Sequence, residues 1–425
     1  MTASATDFAL FVNASQVVTC AGPARARRGA EMLDASVRTD VGVLVDRSAG
    51  TVVRVAPETE LRAEHPAAAV EDCGGGVLTP GLVDSHTHAI FGRARYEEQE
   101  LRAAGAGYLE IAKKGGGIHS SVRDLRTRSE EELFELGRAR LRRLIAHGTT
   151  TIEVKSGYGL SLESELMTLR VIRRLEGALG VRLVPTFLGA HEVPLEYREA
   201  PRTREEYIQL VTREMLPRVA REGLARFCDV FCEPGVYTVD ESRRVLLAAR
   251  ENGLALKLHA DELENGAAAE LAAELGATSA DHLAAISPAG IAALANSGTV
   301  ATLLPGTMLF LGRGKQAPAR ALIAGGAAVA LASDFNPGTS PTVNFPLILT
   351  LGVSQLRLSA GEALVAATVN GAAALGVADH VGQIAPGFRA DLALFGIQDH
   401  RELPYWYGDN RCVRTWSAGR AVATV

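Results

Sequence analysis

Cysteine is scarce in this chain, and the few cysteines show no pairing pattern. The five that occur, Cys20, Cys73, Cys228, Cys232 and Cys412, are odd in number, widely spread and without CxxC spacing. This pattern excludes a disulfide framework and is typical of reduced thiols in a cytoplasm. Cys228 and Cys232 have the chemistry of metal ligands, but their apolar surroundings predict buried strand thiols.

Blocks of one charge are also missing. The 425 residues include 44 Lys and Arg against 49 Asp and Glu, a net charge of −5, and the basic residues are scattered. Because binding to a phosphate backbone requires a basic patch, we expect no nucleic-acid partner. A composition of 47% hydrophobic and 22% charged residues predicts a globular protein with one large domain and a smaller one.

Export and membrane signals are absent from the sequence as well. The N-terminus has no basic residue before Arg25 and no continuous apolar core, so we predict no secretion. The uncharged stretch from Leu283 to Gly312 is long enough to cross a bilayer, but Pro288 and Pro305 divide it into shorter elements. We therefore predict a cytoplasmic protein without a membrane partner.

Short β-type runs occupy both ends of the chain. Near the start they are Ala9–Val12, Val41–Val45 and Thr51–Val55, and near the end Ala390–Phe395 and Val413–Val422. Since the termini of a compact domain often lie close together, these runs predict one composite β-sheet domain from residues 1–78 and 380–425.

Between the two ends, apolar strands alternate with helical runs rich in Ala, Leu, Glu and Arg. Eight strand candidates predict an α/β fold, a (β/α)₈ TIM-type barrel over residues 79–379. A doubly wound open sheet is the alternative, although no strand is followed by GxGxxG. The candidates are Leu78–His86, Thr150–Lys155, Arg182–Leu188, Phe227–Cys232, Leu254–His259, Thr278–His282, Thr299–Leu304 and Val329–Ser333.

His86 ends the first of these candidates, and His88 follows it two positions later. Side chains i and i+2 of a strand project from the same face, so His86 and His88 point together. Such a pair is half of a divalent-metal site, and the remaining ligands must come from elsewhere in the chain.

Polar residues also stand at the ends of the second, third, fifth, sixth and eighth strand candidates, where the active site of a barrel lies. Each lies within a few residues of an apolar run, and several such polar residues at successive strand ends are hard to obtain by chance. They are Lys155, Ser156 and Tyr158; His191 and Glu192; Lys257, His259, Asp261 and Glu262; Asp281 and His282; and Asp334, Asn336, Gly338 and Thr339.

The HxH pair, a histidine after the fifth strand, another after the sixth and an aspartate after the eighth resemble those of the amidohydrolase superfamily. More specifically, the strings TPGLVDSHTH, EVKSGYGL, FLGAHEVP, KLHADE, ADHL and LASDFNPGTSP resemble the imidazolonepropionase family. The resemblance covers nearly the whole chain. It implies a hydrolase of histidine degradation that opens the cyclic amide of 4-imidazolone-5-propanoate to N-formimidoyl-L-glutamate, and it suggests a homodimer.

Carried over position by position, the resemblance implies one divalent metal, zinc or iron. The implied metal ligands are His86, His88, His259 and Asp334; the implied substrate and catalytic contacts are Arg95, Tyr158, His191, Glu262, His282, Asn336, Gly338 and Thr339. In binuclear relatives a carboxylated lysine after the fourth strand bridges two metals. Lys155 follows the second strand, so an ordinary salt-bridging lysine and a single metal are the better interpretation.

These residues suit hydrolysis by a metal-activated water. A divalent ion lowers the pKa of bound water, and the negative charge formed on the carbonyl oxygen needs donors such as His191 or His282. Glu262 is suited to hold or protonate a ring nitrogen. The general base is left open among His282, Asp334 and Glu262.

The propionate arm of such a substrate needs a cationic partner. Arg95, in the loop after the first strand, offers a guanidinium that binds a carboxylate bidentately. The run from Asn336 to Thr339 offers further hydrogen bonds, unless it is a plain turn. The segment Ala103–Gly117 is either a mobile lid with a glycine hinge or a simple exposed loop.

Two other functions are compatible with the motifs. A mononuclear aminohydrolase that deaminates a heterocycle uses the same metal, His and Glu, but its substrate has no propionate for Arg95. A non-catalytic binding protein of the same fold would be expected to lack ligands, whereas the full set is present.

Overall fold

The strands fall into three sheets in the part of the chain that the computed structural model describes, residues 7–106, 115–199 and 201–422. In chain order they are β1 (Phe8–Val12), β2 (Gln16–Val18), β3 (Val37–Arg38), β4 (Val41–Asp46), β5 (Thr51–Pro57), β6 (Ala69–Asp72), β7 (Val77–Pro80), β8 (Leu82–Asp84), β9 (Thr149–Lys155), β10 (Arg182–Ala190), β11 (Phe227–Cys232), β12 (Ala255–Ala260), β13 (Ser279–His282), β14 (Val300–Leu303), β15 (Val329–Leu331), β16 (Leu392–Phe395), β17 (Cys412–Ser417) and β18 (Arg420–Ala421).

Strands β8 to β15 form the predicted barrel. Each pairs in parallel with the next along the chain. The ring closes just past β8 and β15, where the Asp334 N–H donates to the His86 carbonyl over 3.0 Å and the His88 N–H donates to the Phe335 carbonyl over 2.8 Å. The closing contacts therefore lie beside the two histidines.

Helices alternate with the barrel strands. They are Tyr96–Ala103, Ile118–Leu125, Glu130–Ile145, Leu162–Leu179, Arg204–Leu210, Leu216–Arg221, Val239–Glu251, Ala268–Glu274, Pro288–Ala295, Pro305–Phe310, Ala319–Gly325, Phe345–Leu356, Ala360–Ala366 and Val369–Ala374. A further α-helix, Glu58–Glu64, and a 3₁₀ helix, Gly29–Leu33, precede the barrel. No helix among the described residues combines the length and the apolar character that crossing a membrane requires.

Local sequence explains why these elements form. All residues of β9 and β11 are buried, as expected for parallel strands covered on both faces. Several helices begin at a capping box, in which a Ser or Thr side chain and a Glu three residues later satisfy each other's backbone N–H groups. Ser129 with Glu132 and Thr238 with Glu241 are examples.

The two chain ends meet in one sheet, as predicted. Its order is β18-β17-β16-β7-β2-β3, while β5-β4-β1-β6 form a separate sheet from the N-terminal part alone. The predicted strand Leu78–His86 is two strands in the structure, because β7 pairs with β16 and β8 pairs with β9. Gly81 is the residue between β7 and β8, and a Cβ there would come within 2.1 Å of Thr150 Oγ1.

The domain boundaries, 1–78 with 380–425 and 79–379, stay a prediction. The six-stranded sheet extends to Pro80, and the same run of chain continues directly into the barrel. The short distance between β7 and β8 ties the position of His86 and His88 to this sheet.

Candidate metal centre and active-site pocket

The four predicted metal ligands converge at the carboxyl ends of β8, β12 and β15. His88 Nε2 lies 3.3 Å from His86 Nε2 and 3.3 Å from His259 Nε2. Asp334 Oδ1 lies 3.6 Å from the Nε2 atoms of both His86 and His88. All four side chains are buried.

These separations fit a divalent metal. Zinc bonds of 2.0–2.2 Å in a tetrahedral site place the ligand atoms about 3.3–3.6 Å from one another. Burial, followed by the charge of neighbouring groups, lowers the pKa values of His86 and His88 well below the usual range, so both rings are neutral. Neutral imidazoles are the form that binds a metal.

Two aspartates that the sequence analysis gave no role orient these rings. Asp281 Oδ2 lies 2.7 Å from His86 Nδ1, and Asp229 Oδ2 lies 3.0 Å from His259 Nδ1. A carboxylate at Nδ1 keeps the proton there and leaves the Nε2 lone pair for the ion. The one charged side chain in the apolar run Phe227–Cys232 is a signal from which Asp229 could have been found.

A buried ionic network lies beneath the ligands. Lys155 Nζ is 2.7 Å from Asp229 and 2.9 Å from Glu153, and Lys257 Nζ is 3.0 Å from Glu153. Burial alone would lower the pKa of Lys155, but Asp229 and Glu153 raise it above its ordinary value. Carboxylation requires a neutral amine, so this geometry agrees with the salt-bridging interpretation of Lys155.

We expect Asp281→Asn to weaken metal binding about 10–100-fold, as is typical when the partner of a ligating histidine is changed. The variant loses the carboxylate that holds His86 Nδ1 but keeps all four ligands. Competition with a chromophoric chelator measures the affinity, and Asp379→Asn, at an exposed aspartate, is the control. Parental affinity in Asp281→Asn would show that the hydrogen bond does not orient the ligand.

A pocket opens above the ligands and gathers most of the predicted contacts. Its walls include Ile118 and Phe231, two apolar residues that the sequence analysis missed because nothing distinguishes them from core residues. The predicted residues on its walls are His88, Arg95, Tyr158, His191, His259, Glu262, His282, Asp334, Asn336 and Thr339. His86 and Gly338 are not part of the wall.

Arg95 is buried and held on two sides. Its Nη1 donates to Ser121 Oγ over 3.0 Å, and its Nε lies 3.3 Å from Glu98 Oε1. Gly338 makes room for it, since a Cβ there would lie 1.7 Å from Arg95 Nη2. The structure thus places Gly338 against the guanidinium, and its missing side chain is what lets Arg95 lie in this position.

The run from Asn336 to Thr339 is a tight turn closed by its own side chain. Asn336 Oδ1 accepts hydrogen bonds from the N–H groups of Gly338 and Thr339, over 2.8 and 2.7 Å. These backbone donors are therefore occupied. Thr339 Oγ1 accepts from Asn336 Nδ2 over 2.8 Å, which leaves its hydroxyl proton as the donor that this turn offers.

The loop that carries Tyr158 is wrapped around a buried carboxylate. Glu165 Oε1 accepts hydrogen bonds from the N–H groups of Gly159 and Leu160, both over 2.8 Å. The same loop orients His191, whose Nδ1 is 2.9 Å from the Gly157 carbonyl. Burial, more than nearby charge, lowers the pKa of His191 to about 3. A neutral ring that donates from Nδ1 has an acceptor at Nε2.

Glu262 and His282 lie next to each other beside the ligands. His282 Nε2 is 3.7 Å from Glu262 Oε2. Burial, followed by the charges of Asp334 and Glu233, raises the pKa of Glu262 well above the usual range of a glutamate. Burial lowers the pKa of His282 well below the usual range of a histidine. His282 has φ of 79°, a left-handed conformation that non-glycine residues rarely adopt and that is often found at functional sites.

The predicted lid, Ala103–Gly117, falls largely on residues 107–114, which lie outside the described part of the chain. On its far side, the Gly117 N–H donates to Glu98 Oε1 over 2.7 Å. Because Glu98 also contacts Arg95, the end of this segment is linked to the predicted carboxylate clamp.

The barrel and its four converging predicted ligands define the class, a metal-dependent (β/α)₈ hydrolase. The profile of the Amidohydrolase family matches residues 77–422. Similar solved structures include an adenosine deaminase from Xanthomonas campestris with bound zinc, with a TM-score of 0.72, 20% identity and coverage of 97% of this chain and 92% of that one. Guanine deaminase from E. coli has a TM-score of 0.74, 17% identity and coverage of 98% and 99%. These two likenesses describe the fold.

Curated sequences give the finer assignment. An imidazolonepropionase of Symbiobacterium thermophilum is 48% identical over 417 residues, covering 97% of this chain and 96% of that protein. An imidazolonepropionase of Geobacillus kaustophilus is 45% identical over 422 residues, covering 97% of each chain. The chain belongs to the amidohydrolase family and, within it, to the imidazolonepropionases.

Proposed function

We propose that this protein hydrolyses the cyclic amide of 4-imidazolone-5-propanoate to N-formimidoyl-L-glutamate, a step of histidine degradation. The observation that carries the proposal is a buried arginine, Arg95, on the wall of the same pocket as the converging ligands. A metal site alone suits many hydrolases. A buried guanidinium beside it selects a substrate with a carboxylate arm.

The pocket suits both parts of this substrate. Arg95, positioned by Ser121 and Glu98, binds the propionate, and the Thr339 hydroxyl adds a donor. The heterocycle lies towards the ligands between Phe231 and Tyr158. His191 accepts a hydrogen bond from a ring N–H through Nε2, because its Nδ1 donates to Gly157. In this proposal His191 is an acceptor, and the oxyanion-stabilising role suggested for it from sequence stays a prediction.

The ligand set is proposed to hold one divalent metal, zinc or iron. When bound, the ion would lower the pKa of water towards neutrality and polarise the carbonyl oxygen. The ionised Lys155 is the reason for proposing one metal and no second one bridged by a carboxylated lysine. The predicted homodimer and the cytoplasmic location stay predictions, and light scattering of the purified protein tests the first.

Glu262 and His282 are proposed to move the protons. The neutral His282 takes one proton from the attacking water, whose oxygen bonds to the ring carbonyl carbon. As the ring C–N bond breaks, the protonated Glu262 donates its proton to the departing nitrogen. Their separation of 3.7 Å then allows the proton on His282 to return to Glu262. One water is consumed, and both side chains regain their starting states.

Turnover of synthetic 4-imidazolone-5-propanoate, together with elemental analysis of the purified protein, tests the proposal. We expect hydrolysis, about one metal per chain and loss of activity on chelation. A protein that does not hydrolyse this substrate but deaminates purines or pyrimidines without a carboxylate arm would be an aminohydrolase. Activity of a fully metal-free protein would show that the metal centre is misassigned.

Arg95→Met is expected to raise KM and to cost about 2–5 kcal/mol in kcat/KM, because a desolvated charge pair with the propionate is lost. Metal content should not change, since Arg95 is not a ligand. Steady-state kinetics and elemental analysis measure the two quantities. Arg93→Met is the matched control, since Arg93 is two residues away, exposed and paired with Glu97. Parental kinetics in Arg95→Met would place the propionate elsewhere.

A further inference from the structure

Glu233 is a buried carboxylate just past the end of β11, outside the ligand set and the pocket wall. Its two oxygens accept three backbone hydrogen bonds from one turn. Oε2 accepts from the Glu262 N–H over 3.0 Å, and Oε1 accepts from the N–H groups of Leu263 and Glu264 over 3.0 and 2.7 Å. The side chain is 3% exposed, so water does not compete effectively for these donors.

The turn at residues 261–264 depends on such outside acceptors. It follows β12 and begins at Asp261, whose φ of 48° is left-handed. Asp261 stabilises the backbone that follows the turn, since its carboxylate accepts hydrogen bonds from the N–H groups of Gly266, Ala268 and Ala269. Among the described residues, no backbone carbonyl accepts from the N–H groups of Glu262, Leu263 and Glu264. Glu233 is therefore what fixes this part of the turn.

Apart from its backbone, little fixes the position of the Glu262 side chain. Within the described residues its carboxyl group makes no side-chain hydrogen bond, and the closest basic group is His282 Nε2 at 3.7 Å. Where that carboxyl lies in the pocket is thus determined by its backbone. The backbone N–H of Glu262 is bonded to Glu233.

We propose that Glu233 is a positioning residue that sets the place of the Glu262 carboxyl by anchoring the turn at residues 261–264. This inference rests on the proton-donor role given to Glu262 in the proposed function. A carboxylate suits the task because both of its oxygens accept and neither donates when it is ionised. Convergent backbone N–H groups around an anion form the kind of anion-binding concavity known as a nest.

Glu233→Gln tests the role with almost no change of shape. Its amide NH₂ must face at least one backbone N–H, so the turn loses at least one hydrogen bond and two donors oppose each other. We expect kcat to fall about 100-fold, the scale of a 1 Å misplacement, with KM and metal content at parental values. Burial raises the pKa of Glu233 to about 7, so the assays are run near pH 8.

Glu264→Gln is the matched control. It makes the same change of charge on the turn that Glu233 contacts, but its side chain is exposed, and only its backbone N–H contacts Glu233. We expect parental kcat. An equal loss in both variants would mean that charge on the turn, and not the anchor, is responsible, which would overturn the proposal.

A double-mutant cycle separates positioning from a general structural effect. If Glu233 acts through Glu262, Glu233→Gln should lower kcat in the parent but cause no further loss in Glu262→Gln. A full additional loss in the double variant would overturn the proposal. If Glu233→Gln yields no folded protein, Glu233→Asp takes its place: it keeps two acceptor oxygens but withdraws them from the turn by one methylene, so the same criteria apply.

Hydrogen exchange measured by mass spectrometry gives a readout that does not depend on activity. Peptides spanning residues 261–264 should exchange faster in Glu233→Gln, while those from β12 should not change. If the parent protein fails to hydrolyse the imidazolone, the proposed function is wrong, and exchange still decides whether Glu233 anchors the turn. If the parent is active but the variant has parental kcat and parental exchange, the anchor is wrong and the function stands.

Discussion

Replacing His259 with alanine is expected to empty the metal centre and to abolish hydrolysis. His259 Nε2 lies 3.3 Å from His88 Nε2, and Asp229 Oδ2 lies 3.0 Å from His259 Nδ1, so the change removes one of the four proposed ligands. Polarisation of the carbonyl and activation of water are each worth several kcal/mol, so kcat/KM should fall about 1000-fold or more. Elemental analysis after dialysis and steady-state kinetics measure both effects.

Metal titration distinguishes a lost ligand from a lost fold. The parent protein, stripped with chelator, should regain activity with about one equivalent of metal, whereas His259→Ala should need a large excess or fail. Thermal unfolding of the two metal-free proteins is the control for stability, because the alanine also leaves a cavity. A His259→Ala protein that keeps stoichiometric metal through dialysis would require a new ligand assignment, with His282 as the next imidazole to consider.

The barrel could be predicted because its signals are local. Fully buried parallel strands are apolar runs such as Phe227–Cys232, and helices with capping boxes separate them. His86 and His88 stand on one face by strand geometry alone. That polar residues such as His259 and Asp334 gather near them follows from one further rule, the placement of active sites at the carboxyl ends of barrel strands. The family resemblance singled out these two as ligands. The family resemblance then gave the rest of the contacts.

What the sequence could not show is which groups satisfy one another at long range. Asp281 and His86 are 195 positions apart, so no local pattern joins them. Glu233 looks like any charged residue after a strand, although three N–H groups from another loop converge on it. The break at Gly81 was hidden for a related reason, because β7 and β8 read as one apolar run and differ only in their partners.

Glu262→Gln and His282→Asn are expected to keep the metal and to lose kcat, each by about 10²–10⁴-fold, the usual contribution of a general acid or base. Neither residue is in the proposed ligand set, and the two side chains face each other at 3.7 Å. Glutamine keeps the shape of Glu262 but has no acidic proton to donate. Asparagine at His282 removes the imidazole that is proposed to take the proton from water.

The combination of the two substitutions sharpens this prediction. If Glu262 and His282 pass one proton through a single cycle, the double variant should be little worse than the poorer single variant, because each change already disables the same relay. Steady-state kinetics on all four proteins, with metal content measured in parallel, gives the coupling. Parental kcat in both single variants would show that neither residue moves a proton in the rate-determining step. Loss of metal from either variant would instead place that residue among the ligands.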